Sequence, residues 1–228
     1  MVDAWGWLLA SLSSHTETIW SLMNKNILAL SVAAAALAST ATAATSSNIV
    51  GYVKLNLKKG LNLISNPLSN TAANGNNVST IFGGIDCSVL QWNGTGFTST
   101  DILAGVGIVN GPDFALTPGK GVFVDSAIDA SVITVGDALV GTQAQALVKD
   151  NNFVASIIPI SGTATDLGLQ PPDGSTVLTW NNGAGGYTAF DTLGDGVWPT
   201  GEPTFAVAQG FVVQASGPFT WTKTFNVQ

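Results

Sequence analysis

The sequence predicts an all-β fold: two tandem β-sandwich or barrel-like domains of about 90 residues each, after an N-terminal signal peptide. Three observations carry this. First, one stretch occurs twice. Val89-Leu90-Gln91-Trp92-Asn93-Gly94-Thr95-Gly96-Phe97 returns as Val177-Leu178-Thr179-Trp180-Asn181-Asn182-Gly183-Ala184-Gly185-Gly186-Tyr187. Each copy is an apolar run, a tryptophan, an Asn/Gly turn and a returning aromatic, which is the pattern of a β-hairpin. Second, the composition holds 26 Gly, two Glu and no Arg, and it is rich in β-branched residues. That mixture suits strands and tight turns rather than helices. Third, no segment sustains a helical period, while short apolar runs bounded by turn residues recur along the chain.

The duplication extends beyond the hairpins. Val50-Gly51 aligns with Val140-Gly141, residues 61–69 with 153–161, and Trp92 with Trp180. Gly121-Val122-Phe123-Val124 aligns with Gly210-Phe211-Val212-Val213, and residues 131–135 with 220–224. Five landmarks in one order make a copied unit, long enough to hold its own core. The expected domains are residues 44–137 and 138–228, packed through the region 133–147.

The front end reads as targeting. Met23-Asn24-Lys25-Asn26 is a short n-region with one positive charge, residues 27–38 are apolar, and Ala41-Thr42-Ala43 is a small-residue cleavage site. Residues 23–43 are therefore expected to be a signal peptide. Residues 1–22 fit no part of one and read as a miscalled start. The apolar run is too short for a bilayer, which takes about 20 residues. A secreted protein, extracellular or at the cell surface, is expected, with no transmembrane segment in the mature chain. Its one cysteine, Cys87, admits no intramolecular disulfide and reads as a buried, inert thiol.

Taken in order, residues 52–57 alternate: Val53, Leu55 and Leu57 face one way, Lys54 and Asn56 the other, as in a half-buried strand. Lys58-Lys59-Gly60 turns the chain into a strand over 61–65, ended by Pro67. Residues 70–77 are a polar loop, and 78–82 suit one short helical turn before the Trp92 strand. Residues 102–118 read as a long Gly-rich connection. Pro118-Gly119-Lys120-Gly121 launches the next strand, and 131–135 closes the first unit. The second unit repeats the order with strands over 147–149, 153–157, 177–180, 187–190, 210–213 and 219–225. The segment 163–168 takes the place of the helical turn, and Pro171-Pro172-Asp173-Gly174 signals a turn. In 219–225, Phe219, Trp221, Lys223 and Phe225 share a face. Lys223 suggests a sheet edge, where lysine discourages further pairing.

Together these landmarks resemble a family of uncharacterised secreted tandem-repeat β-proteins of Verrucomicrobia and related environmental bacteria. The matching features are Asn48-Ile49-Val50-Gly51-Tyr52-Val53, Leu63-Ile64-Ser65-Asn66-Pro67-Leu68, and the Trp92-Asn93-Gly94 and Trp180-Asn181 hairpins. Pro118-Gly119-Lys120-Gly121-Val122-Phe123-Val124 and the closing Trp221-Thr222-Lys223-Thr224-Phe225 complete the match. The resemblance covers nearly the whole mature chain and implies no activity. Val207-Ala208-Gln209-Gly210 departs from it, standing where the first unit has the Pro-Gly-Lys-Gly turn.

Most chemistries lack their residues. The only histidine, His15, precedes the mature chain, so His-dependent triads and His/Cys zinc sites are excluded there. A net charge of −7 without arginine argues against nucleic acid. Glycoside hydrolysis needs two carboxylates. Glu202, with Asp191 or Asp195, is the one pair on offer, and loop solubilisers are the favoured reading. Asp191-Thr192-Leu193-Gly194-Asp195-Gly196 has some look of a calcium loop. Its spacing fails the EF-hand pattern, so a plain Asp/Gly turn is favoured and no cofactor is expected; calcium at Asp191 and Asp195 is the alternative. Trp92 and Trp180, at equivalent places beside apolar residues, read as core. Trp198, in a Gly/Pro loop, is the better candidate for an exposed contact, with Tyr187 and Trp221 as companions on a sugar-stacking face.

The expected function is a secreted, non-enzymatic structural, adhesive or matrix protein, able to self-assemble by pairing the strand 49–57 with a neighbouring copy. The expected partners are further copies of the chain or cell-envelope and extracellular polysaccharide. The alternatives are a carbohydrate-binding module using exposed aromatics and, third, a carboxylate-based glycosidase.

Overall fold

The computed structural model describes residues 49–226. The expected signal peptide, the segment before it and Asn48 lie outside the described residues. Within them the fold is all-β, with several antiparallel sheets and no closed barrel.

The first half holds β1 (Ile49–Leu57), β2 (Gly60–Ser65), α1 (Val78–Phe82), β3 (Cys87–Trp92), β4 (Phe97–Leu103), β5 (Gly107–Asn110), β6 (Gly121–Ser126) and β7 (Ala130–Ala138). The second holds β8 (Gly141–Leu147), β9 (Asp150–Ala155), β10 (Gly162–Thr163), β11 (Thr176–Asn181), β12 (Gly186–Asp191), β13 (Thr204–Phe205), β14 (Gly210–Ala215) and β15 (Phe219–Phe225). The pairing scheme recurs. β1 pairs with β7 as β8 pairs with β15, and the sheet β2-β6-β3-β4-β5 matches the sheet β9-β14-β11-β12 strand for strand as far as β4. The short pair β10–β13 stands apart.

Alternation explains the layering. In β6, Val122 and Val124 point to a core shared with Leu55, Leu57, Phe82 and Val89, while Phe123 points the other way. In β14, Phe211 and Val213 join Leu147, Val177 and Trp221, while Val212 points away. The strands β6 and β14 are thus apolar on both faces, which is why they read as unbroken apolar runs. The two ribbons cover the outer faces of the two sheets. The inner faces meet in a seam of Leu63, Leu90, Phe123, Phe153, Leu178, Val212 and Trp180.

The seam is reciprocal. Ser65 N–H donates to Ala208 O at 2.9 Å, and Ala155 N–H to Gly119 O at 3.1 Å. Ile64 bridges Gln209, and Val154 bridges Lys120. At both crossings the chains touch backbone to backbone. A Cβ on Gly121 would meet Val154 O at 2.8 Å, which the backbone cannot accept without moving, and one on Gly210 would meet Ile64 N at a tight 3.0 Å.

Several expectations change. The halves meet mainly through this seam; of residues 133–147, Gln145 reaches across, donating to Gly119 O at 3.0 Å. The connection 102–118 contains a strand, β5, hidden because it is only four residues long and none of them is fully buried. The strand expected at 147–149 is β8, which ends at Leu147. Thr142-Gln143-Ala144-Gln145-Ala146 carries little apolar signal, and its partner β15 supplies Phe219 and Trp221 to the buried side. The alignment of 61–69 with 153–161 is shifted by two residues. The structural equivalents are Gly60–Ser65 and Asp150–Ala155, since Ser65 pairs with Gly121 as Ala155 pairs with Gly210. A two-residue slip keeps every side chain on its face, so alternation could not detect it. The departure at residues 207–210 leaves the turn intact: Ala208 takes φ +62°, close to the +89° of Gly119. Lys223 lies on an edge strand whose outer side is covered, its ammonium donating to Asp166 O and the neighbouring Trp221 Nε1 to Leu167 O.

Candidate functional site

At one end of the seam a cleft of about 420 Å³ opens between the two halves. β1 supplies Lys54, Leu55 and Asn56, the β1–β2 turn Lys58, and β2 Asn62, Leu63 and Ile64. The β11–β12 hairpin supplies Trp180 and Asn182, and the turn before β14 supplies residues 206–209. Two cations, four side-chain amides and an indole surround an aliphatic floor. Among the described residues the lining contains no carboxylate, thiol or hydroxyl side chain.

Local bonds fix these walls. Asn62, buried, donates through Nδ2 to Lys58 O and Gly60 O, both at 2.7 Å, and to Val124 O at 3.1 Å. Its Oδ1 accepts Lys58 N–H at 2.8 Å. The β1–β2 turn, with Gly60 at φ +89°, is locked by this one side chain. Asn152 holds the β8–β9 turn by the same bonds to Val148, Asp150 and Val213. Asn182 crosses the seam to donate to Asn62 Oδ1 at 2.7 Å, and Trp180 Nε1 donates to Leu61 O at 2.8 Å. The hairpin is set by Asn181, whose Oδ1 accepts Gly183 N–H and Ala184 N–H, as Asn93 does with Thr95 and Gly96. Such Asx turns tolerate the left-handed backbone that tight hairpins need.

The electrostatics are uneven. Lys58 is paired with Asp129 at 3.0 Å, and that carboxylate also accepts Lys59 N–H. These donors hold the Asp129 carboxyl below the usual range. Lys54 is exposed, opposite Ile133 in the ribbon, with no ion-pair partner among the described residues.

The residues singled out from sequence fall elsewhere. Trp198 is half-buried against the second core, so its loop does not present it as a free surface ring. Trp221 is 3% exposed and holds Leu167 O, so its face cannot stack on a ligand. Tyr187 is exposed along one side but lies edge-on to Trp180 and Phe123 in the seam. Trp92 and Trp180 are seam residues, touching Phe153 and Phe123 respectively. Trp198, Trp221 and Tyr187 therefore form no common stacking face.

The carboxylates also have local work. Asp191 accepts the Thr176 hydroxyl at 2.7 Å across β11–β12, the same cross-strand pair that Asp101 makes with Ser88 at 2.6 Å in the first half. Asp101 is thus the counterpart of Asp191 in the first half. Asp195 stands in the next loop at φ +48°. That loop closes through Thr192, which takes Gly194 N–H and gives its hydroxyl to Val197 O. Among the described residues no group of three or more His, Cys, Asp or Glu is placed to hold a metal.

Glu202 accepts Thr165 N–H at 2.5 Å, serving the helical turn 163–168. Asp113 does this for α1, accepting Ser79 N–H, the Ser79 hydroxyl and Asn77 Nδ2. Burial pushes both carboxyls up, but these donors outweigh it, and both lie below the usual carboxylate range. A general acid for glycoside cleavage needs the opposite shift. Cys87 is buried, and desolvation aided by Asp86 and Asp101 pushes its thiol up to about 11, far from the thiolate that chemistry needs.

Comparison with protein-family models, with curated proteins and with solved structures gives no match. The cleft therefore stands on its own geometry. Sequence reasoning missed Lys54, Asn56, Asn182 and Gln209, which form no motif. The usable signal was the difference between copies: counted from Val50 and Val140, Lys54, Asn56 and Lys58 stand where the second copy has Ala144, Ala146 and Val148.

Proposed function

We propose that the protein is a secreted, non-enzymatic adhesive or matrix protein that holds a polysaccharide in this cleft. One observation carries the reading: the lining gathers amides, ammonium groups and an indole, with no carboxyl, thiol or hydroxyl side chain among the described residues. Side-chain amides donate and accept at once, which suits paired sugar hydroxyls, and the aliphatic floor suits the apolar face of a sugar ring. The volume lies within the range of small-ligand sites. Affinity electrophoresis through gels carrying a panel of polysaccharides tests it. Retardation of the mature protein, lost in the double variant Asn182→Ala and Gln209→Ala, is expected; migration unchanged by every glycan ends the reading.

A second reading, self-assembly, has its own support. β1 pairs with β7 on one side only, and the outer face of that ribbon exposes Val50 and Tyr52, at 69% and 76%, beside Val135. An edge strand with an apolar face is a template for pairing with a second copy. Light scattering at rising concentration should show growth that Tyr52→Lys suppresses. A strict monomer at high concentration removes this reading.

A further inference from the structure

From the bonds left unmade in the cleft, we infer that its ligand is an anionic saccharide, a sugar carrying carboxylate or sulfate groups. This rests on the cleft being a glycan site. Three of the four wall amides use up their own acceptor oxygens, and Asn182 Oδ1 is the one that takes no donor among the described residues. Asn62 Oδ1 takes Lys58 N–H and Asn182 Nδ2, Gln209 Oε1 takes Ala206 N–H, and Asn56 Oδ1 takes the Ser131 hydroxyl. What remains toward the opening is mostly donor: the three protons of the Lys54 ammonium and the amide NH₂ groups of Gln209 and Asn56. Trp180 Nε1 is already spent on Leu61 O. A site rich in donors and cationic recognises an acceptor-rich, negatively charged partner.

The charge is local and runs against the rest of the molecule. The chain carries −7 overall, yet among the described residues no carboxylate lines the cleft. Lys58 is held by Asp129, which leaves Lys54 as the cation able to meet an incoming anion. At the equivalent end of the seam the ribbon carries Ala144, Ala146 and Val148. There Gln145, standing where the cleft has Leu55, donates to Gly119 O at 3.0 Å across the gap. Lys54 and Lys58 thus have no cationic counterpart on the other ribbon, although Lys120 stands at the equivalent crossing in the place of Gln209. Saccharide is favoured over acidic peptide because the amide NH₂ groups of Asn56 and Gln209, the Asn182 Oδ1 acceptor and the aliphatic floor match hydroxyls and ring faces, which a carboxylate side chain alone would leave unused.

The test compares matched probes: dextran with dextran sulfate, and polygalacturonate with its methyl ester, with poly-glutamate as the peptide arm. Retardation by dextran sulfate or polygalacturonate at least tenfold stronger than by the neutral partner, fading with added NaCl, is expected. The sulfate and carboxylate arms identify which group is read. Lys54→Gln should lose most of that preference, while Lys149→Gln, which removes the same charge away from the cleft, should keep it. Equal retardation by neutral and charged glycans, an unchanged Lys54→Gln, or equal binding of poly-glutamate overturns the inference. If neutral glycans bind and Asn182→Ala abolishes that, the cleft remains a glycan site and only the anion preference falls; no retardation on any glycan removes both.

Discussion

Lys54, Asn56 and Lys58 run along one ribbon, and Ala144, Ala146 and Val148 occupy the same places along the other. One end of the seam is an open, cationic cleft; at the other Gln145 reaches across to Gly119. Beneath this difference the two ends share their backbone. The Asn62 and Asn152 turns are the same, and so are the crossings at Ser65 and Ala155. The indoles differ in one bond: Trp180 Nε1 reaches Leu61 O, while Trp92 Nε1 is buried without a partner among the described residues. Main-chain bonds and glycine contacts define the scaffold, and side chains on one exposed edge define what it can hold.

The comparison can be broken most severely at the seam. Phe123 touches Phe97, Phe153, Trp180 and Tyr187, and its counterpart is the smaller Val212. Phe123→Ala should cost about 3–5 kcal/mol in denaturant unfolding. Val212→Ala should cost clearly less; equal losses would mean that the two faces carry the seam alike. Next, Gly121→Ala and Gly210→Ala should each cost roughly 1–3 kcal/mol, because the neighbour is backbone and cannot swing aside. Gly121 should be the more sensitive, its approach being closer.

The carboxylates at the helical turns sharpen the likeness. Asp113→Ala and Glu202→Ala should each cost about 1 kcal/mol at neutral pH, as capping groups do. Both carboxyls titrate below their ordinary range, so the unfolded chain takes up protons first as the medium is acidified. Their contribution is complete above the ordinary carboxylate range, about 4, and disappears as pH falls through the lower folded values. Urea midpoints measured across that window should converge for wild type and both variants. Smallest is Ala208→Gly. Relief of a left-handed alanine is worth about 1–2 kcal/mol, and the lost methyl, buried in the first core, about 0.8. A net gain below about 1 kcal/mol should appear as a slight rise in midpoint. Gly119→Ala lacks that compensation: its Cβ would meet Gln145 and Ile157 at 3.0 Å, and it should destabilise.

The hairpins and the β1, β2, β6 and β7 strands were legible because Trp-Asn-Gly turns and alternating or doubly apolar runs are local signals. β5 and β8 were not, since exposed or alanine-rich strands draw their pairing from partners distant in sequence. Glu202 was singled out because a lone glutamate stands out in composition, while its task, shared with Asp113, depends on a fold that brings residue 202 to residue 165. Trp198 and Trp221 looked exposed or half-exposed because turn residues and alternating polar neighbours surround them. The cleft was legible only as a contrast between copies, never as a motif.

The reciprocal crossings have the form of an isologous contact, in which each partner offers the other the same patch. A single half would leave its inner sheet face bare, and a twin meeting it through the same crossings would cover that face as a homodimer. Fusing the two copies removes the concentration dependence of that union, and it frees one ribbon edge to change while the other stays as it was.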